Sequence, residues 1–146
     1  MSVTNAFETA LLTLYFNNTD HANIGDAAGL QNSATAGSFH ISLHTADPGE
    51  TGSQTTSEAT YTSYARVAVA RSGAGWTIAS ANASNAAAVT FPACTGGSNT
   101  ITHFGIGSDS SGAGNLFFYG ALSASLPVSS GITPSFSIGD LDVNVD

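Results

Sequence analysis

From Phe39 onward, apolar residues recur at every second position, in short segments separated by turn residues. That pattern leaves few alternatives to antiparallel β structure. Phe39, Ile41 and Leu43 alternate with His40, Ser42 and His44; Ala65, Val67 and Val69 alternate with Arg66, Ala68 and Ala70. Leu141, Val143 and Val145 alternate with Asp142 and Asn144. Residues 100–107 and 116–122 flank the Gly-containing stretch 109–114 and read as an antiparallel hairpin. Trp76 and Ile78 sit on a further short strand, Val89 and Phe91 on another ended by Pro92, and Phe136 and Ile138 open the last pair, turned by Gly139-Asp140. Strands without intervening helices favour a sandwich, jelly roll or barrel over a parallel sheet. The expected core is Phe39, Ile41, Leu43, Val67, Val69, Phe104, Ile106, Leu141 and Val143.

The N-terminal segment has a different period. Phe7, Leu11, Leu14 and Tyr15 fall at helical spacing, with Asn5 placed to cap and Glu8 three residues on, so a short α-helix is expected within residues 1–20. Residues 21–37, with Gly25, Gly29 and Gly37, read as a loop that could hold a short turn of helix. Residues 47–60 read as a mobile, exposed loop available to a neighbour, because they are polar and carry the turn residues Pro48, Gly49 and Gly52. With 146 residues, the expectation is one all-β domain over 1–146: an antiparallel β-sandwich or jelly roll at 39–146 behind a short N-terminal helix.

Charge narrows the function classes. The formal net charge is −8, and Arg66 and Arg71 are the only fixed cations. A nucleic-acid binder displaces counterions with Lys and Arg, and an anionic membrane surface attracts the same residues, so neither partner is expected. No stretch reaches the roughly 20 apolar residues of a membrane helix. No Lys or Arg precedes the first apolar residues, so no secretory leader is expected and the chain reads as made in a cytoplasm. Only 8% of residues are charged, against a norm of about 25%. Residues 72–108 carry no fixed charge at all. Interface cores are depleted of charge in this way, which suggests a subunit in contact with copies of itself or with a larger lattice.

The signatures of catalysis are missing. Gly105-Ile106-Gly107 lacks the third glycine of a dinucleotide fingerprint, and the chain has neither a phosphate loop nor Gly-x-Ser-x-Gly. His40 and His44 share a strand face but stand roughly 13 Å apart, too far for one metal ion, while His21 and His103 lie on other segments. Asp140 and Asp142, at roughly 6.6 Å, and Asp146 share another face. These acids, like Asp47, Glu50 and Asp109, read as solvated turn acids and not as calcium ligands. The lone Cys94 reads as a small buried or turn residue, and Phe117, Phe118 and Tyr119 read as core. No catalytic residue, metal or cofactor is expected.

Several blocks in order resemble a family of small bacteriophage and prophage virion structural proteins that carry an "LFTADPGE-G" segment. They are ISLHTADPGETG at 41–52, SYARVAV at 63–69, AVTFP at 88–92, THFGI at 102–106, NLFFYGAL at 115–122 and GDL at 139–141, with NAFETALL at 5–12 resembling the family's opening helix. The segment 20–37 is longer and more polar than the family's usual connection. The resemblance implies a virion component, labelled structural or tail-fibre-like, that contacts other virion proteins, and it brings no catalytic residues. The first expectation is a capsid decoration (cement) protein that ties major capsid protein subunits together. The alternative is a tail fibre or adaptor subunit used in host adsorption, and a virion-borne hydrolase of surface sugars stands third.

Overall fold

The computed structural model describes residues 3–22, 24–25 and 29–145. Helix α1 spans Asn5–Asn17, followed by strands β1 (Ser38–His44), β2 (Val67–Ala70), β3 (Trp76–Ala79), β4 (Asn82–Asn85), β5 (Val89–Thr90), β6 (Ser98–Gly107), β7 (Leu116–Ser129), β8 (Ser135–Phe136) and β9 (Asp142–Asn144). Strand outweighs helix, 40% to 9%, so the all-β class with one short N-terminal helix holds, and its sheets are antiparallel as a β-sandwich requires. The strands form sheets of order β2-β1-β6-β7, β3-β4-β9 and β5-β8. The chain clusters into two compact units.

The first unit comprises Met1–Ser38, Ala70–Ala88 and Phe136–Asp146. The helix starts one residue earlier than its sequence suggests. Thr4, not Asn5, is the cap, and its hydroxyl accepts from the Phe7 backbone N–H at 3.4 Å. The buried stripe is Glu8, Leu12 and Phe16, so the helix faces inward one position round from the expected Phe7, Leu11, Leu14 and Tyr15, and Phe7 is exposed. Trp76 packs against this stripe. Its ring meets Phe16 edge-on at 4.7 Å, and both rings are fully buried.

The helix ends at Asn18, whose left-handed backbone (φ 51°) returns an N–H to the Thr13 carbonyl. Its last turn holds no cation of its own. Arg71 supplies one from beyond β2: Nε donates to the Tyr15 carbonyl at 2.6 Å, one terminal nitrogen to the Leu14 carbonyl at 3.1 Å, and the other to the Ala36 carbonyl at 3.0 Å. These are the carbonyls a helix end leaves unbonded, and a positive charge there suits the helix dipole. Within residues 21–37 the described residues form no further helix; His21 and Leu30 form an isolated antiparallel bridge.

The second unit comprises Phe39–Val69 and Val89–Ser135, built on β1, β6 and β7. Ile41 faces Ile106 and Leu43 faces Phe104 across β1 and β6. Of the expected core, Phe39, Ile41, Leu43, Val69, Ile106, Leu141 and Val143 are buried in their respective units, whereas Val67 and Phe104 are only half-buried. The hairpin of β6 and β7 forms as expected but runs further, to Ser98 and Ser129. Phe117 and Tyr119 are exposed, which corrects the expectation that this aromatic run is core: β7 closes the sheet at its edge, where among the described residues no strand flanks it on one side.

The C-terminal segments do not form the expected hairpin. β8 pairs with β5, and β9 pairs with β4, so the Gly139-Asp140 turn joins strands of two different sheets.

Candidate functional site

A cluster of bonded polar side chains in the second unit is built on the His40–Ser42–His44 face of β1. The alternation of β1 predicts this face to be exposed, yet Ser42 and His44 are fully buried, as is Gln54. The cover is the segment expected to be mobile, residues 47–60, and the sequence of bonds along it explains why it stays closed.

The segment opens with turn chemistry: the Asp47 carboxylate accepts from the Gly49 N–H at 2.8 Å, and the Gly52 N–H returns to the Gly49 carbonyl. Gln54 then enters the sheet. Its side-chain amide donates to the Asp109 carbonyl at 3.3 Å, its side-chain oxygen accepts from the Asp109 N–H at 2.9 Å, and its backbone N–H reaches the Ala113 carbonyl. Gly107 and Gly114 leave the room it needs, since a Cβ at either would overlap the amide. Gly107 and Gly114 of this β6–β7 region therefore make room for a side chain.

Two residues on, the Thr56 carbonyl accepts from His44 Nδ1 at 2.8 Å, and His44 Nε2 meets the Ser42 hydroxyl at 2.8 Å. Gly105 lies beneath this pair; a Cβ there would come within 2.7 Å of both the imidazole and the hydroxyl. His103, which the sequence left on a separate strand, stands directly across from His44 in the β1–β6 register. His40 Nδ1 lies 3.1 Å from the Ser108 carbonyl. The structure thus brings His44 and His103 together, while His40 keeps a separate backbone partner.

Glu58 completes the closure. Its carboxylate accepts from Arg66 at both oxygens, Nε to Oε1 at 2.6 Å and a terminal nitrogen to Oε2 at 2.8 Å, the two-pronged geometry that makes such pairs strong. The Tyr64 hydroxyl donates to the same carboxylate and accepts from the Leu43 N–H at 3.0 Å. Arg66 continues to the Asp109 and Gly112 carbonyls at 2.8 and 2.7 Å. The side chains of Arg66 and Glu58 are 2% and 15% exposed. Sequence reading passed over this pair, though an arginine among alternating apolar residues, in a chain with only two, was a signal that a buried partner would be needed.

The electrostatics follow from burial. Desolvation pushes His44 below its ordinary value, helped by the charges of Arg66 and His103 and opposed by the Thr56 carbonyl and Glu58. Burial raises the Tyr64 hydroxyl, and Glu58 raises it further. The hydrogen bond to Glu58, above all, holds Arg66 in its charged form.

A testable consequence concerns acid. A histidine whose folded pKa lies below its unfolded value of 6.5 binds more protons unfolded, so its contribution to stability is complete above about pH 6.5 and declines as pH falls through that value. The melting temperature is therefore expected to fall more steeply from about pH 7 to about pH 5 in the native chain than in His44→Gln. Parallel pH profiles for the two proteins would contradict this.

Other candidates stand apart. Asp140 bonds the Ser137 N–H within its own turn at 2.6 Å, and Asp142 accepts from Asn82, which also donates to Asn144, both at 3.1 Å. Asp146 lies outside the described residues. Cys94 is buried, its thiol directed at the Gly96 carbonyl at 3.3 Å, as a small turn residue would be. In the first unit, a groove of about 610 Å³ beside α1 is lined by apolar side chains, Phe7 and Ile24 among them, and by the polar Thr13, Asp20 and His21, with Phe7 edge-on to His21 at 5.4 Å. Among the described residues, no three His, Cys, Asp or Glu are grouped to hold a metal ion, and no helix is long and apolar enough to cross a membrane.

The polar face of β1 is thus a clamp that fastens residues 47–60 to the sheet, its hydrogen-bonding groups directed at one another. Comparison with curated proteins gave no match. Comparison with protein families gave one described as podophage GP4 fiber I protein gp80, matched over residues 2–144. Nearly the full length is covered by that match, and the chain belongs to this family of phage fiber proteins, which are virion components.

Proposed function

We propose that this chain is a tail-fibre subunit of a bacteriophage that works by burying surface against other virion proteins and catalyses no reaction. One observation carries the non-catalytic part. His44, Gln54, Glu58, Tyr64 and Arg66, the side chains best suited to chemistry, are bonded to one another or to nearby backbone, where they close a surface segment. Arg71 is likewise engaged at the end of α1, so both fixed cations serve the fold and neither is presented to a phosphate backbone.

The family description moves the reading from head decoration, which the sequence alone favoured, to the fibre. Copy number separates the two. A fibre subunit is present in far fewer copies than the major capsid protein, whereas a decoration protein approaches it in number. Quantitative mass spectrometry of purified particles should give the low ratio, and antibody labelling should mark the tail. A ratio near that of the capsid protein, with label over the head, would restore the decoration reading.

A further inference from the structure

The fastening of residues 47–60 is uneven along its length. Of residues 50–56, Gln54 alone is fully buried, so opening this stretch uncovers little apolar surface and exchanges its bonds for bonds to water. Both of its ends carry left-handed backbone, Gly49 at φ 70° and Ser57 at φ 53°. A residue other than glycine held there stores strain, which opening releases. Beyond Ser57 the chain is held by the Glu58–Arg66 pair and by the Ala59 N–H on the Leu43 carbonyl at 2.8 Å.

Beneath residues 50–56 lies an imidazole that the closed form keeps neutral. A carbonyl only accepts, so the bond to Thr56 places a proton on His44 Nδ1, and Nε2 then accepts from the Ser42 hydroxyl. A second proton, on Nε2, would turn that bond round and displace the hydroxyl proton inside a fully buried pair. Burial weighs most against a charged ring, and Arg66, from the stretch before β2, and His103, from β6, add to it. The Thr56 carbonyl and Glu58 favour the charge, but the Glu58 carboxylate is already taken by Arg66 and Tyr64. β7 brings Leu116 to the site, a side chain with no charge.

We propose that residues 50–56 are an acid-released strap: when His44 takes up its second proton they swing out between Gly49 and Ser57, while the Glu58–Arg66 pair and the sheet stay closed. The open form lets water reach the ring and binds the proton more tightly than the closed form. Lowering the pH therefore draws the equilibrium toward the open form by the ratio of the two affinities. Acidity thereby controls exposure of the His40–Ser42–His44 face, whatever place the subunit holds in the virion.

Hydrogen exchange of the whole chain, followed by NMR and corrected for the intrinsic pH dependence of exchange, tests this. The Gln54 N–H, bonded to the Ala113 carbonyl at 2.9 Å, reports on the strap. The Ala59 N–H reports on the chain beyond the hinge, and the Ser108 N–H, bonded to the Asn115 carbonyl at 3.0 Å, on the hairpin loop. Gln54 should open more often than the other two at every pH. Its opening constant should rise several-fold from about pH 7.5 to about pH 5.5, to a ceiling of roughly tenfold set by an exposed histidine of pKa 6.5. In His44→Gln the constant should be flat over that range, and in His103→Gln the rise should persist. Equal protection at Gln54 and Ala59, which marks opening of the whole unit, would overturn the proposal. So would a Gln54 constant indifferent to pH in the native chain, a rise that survives His44→Gln, or one lost in His103→Gln.

Discussion

Arg66→Met should destabilise the protein by about 3–5 kcal/mol, because it leaves Glu58 as a buried carboxylate without its cation. For a chain of this length that corresponds to a fall in melting temperature of roughly 6–20 °C. The arginine cannot be replaced by solvent cheaply, since its side chain is 2% exposed and that of Glu58 is 15% exposed. The loss also removes the bonds to the Asp109 and Gly112 carbonyls, which are exposed and can turn to water instead. Removing both charges, in Arg66→Met with Glu58→Leu, should recover part of the loss, because no unpaired charge then remains inside. Differential scanning calorimetry on the single and double variants decides the matter. A double variant no more stable than the single one would show that the cost comes from lost packing and not from the stranded carboxylate.

Asn85→Leu should have a comparable effect in the first unit. Asn85 lies on β4, fully buried, and its amide fastens the C-terminal turn: Nδ2 donates to the Ala87 and Ser137 carbonyls at 2.8 and 2.7 Å, and Oδ1 accepts from the Leu141 N–H at 2.9 Å. Leucine nearly matches the size and bonds none of these groups. The buried Leu141 N–H left unpaired costs about 1–3 kcal/mol, and the part-buried bonds to the Ala87 and Ser137 carbonyls about 1 kcal/mol each, which gives an expected loss of roughly 3–5 kcal/mol. Hydrogen exchange at Leu141 should accelerate before that at Ile41 and Leu43 of the second unit. A loss under about 1 kcal/mol would mean that water satisfies these groups and that the turn does not depend on Asn85.

These two side chains mark where the sequence could be read and where it could not. The alternation in 39–44 and 141–145 is a property of consecutive residues, so it located β1 and β9 and picked out Ile41, Leu43, Leu141 and Val143 as buried. β4 has no such signature. Its residues are Asn-Ala-Ser-Asn, and the turn before it holds Ser80 and Ala81 at φ 49° and 63°, conformations usually announced by Asn or Gly. Only its pairing with both β3 and β9 makes it a strand, and the pairing with β9 joins residues about sixty positions apart.

The helix was legible but its phase was not, because Glu8 is buried and breaks the apolar stripe. The clamp was the least legible feature. Burial of Ser42 and His44 depends on a segment of 14 residues folding back over them, and the polarity of that segment, which suggested solvent, instead reflects the bonds it makes inside. Polar composition identifies a loop; it does not say which side of its side chains faces water.

The placement of the two arginines has one more consequence. Trypsin cleaves after lysine or arginine, and this chain offers it residues 66 and 71 alone. One guanidinium is closed in by Glu58 and the hairpin loop, and the other is bonded to the end of α1 and to the Ala36 carbonyl. Neither can enter a protease pocket while these contacts hold. Digestion should therefore report the opening of the fold and not the accessibility of a loop, and a particle carrying this subunit should shed no fragment of it to trypsin until that fold opens.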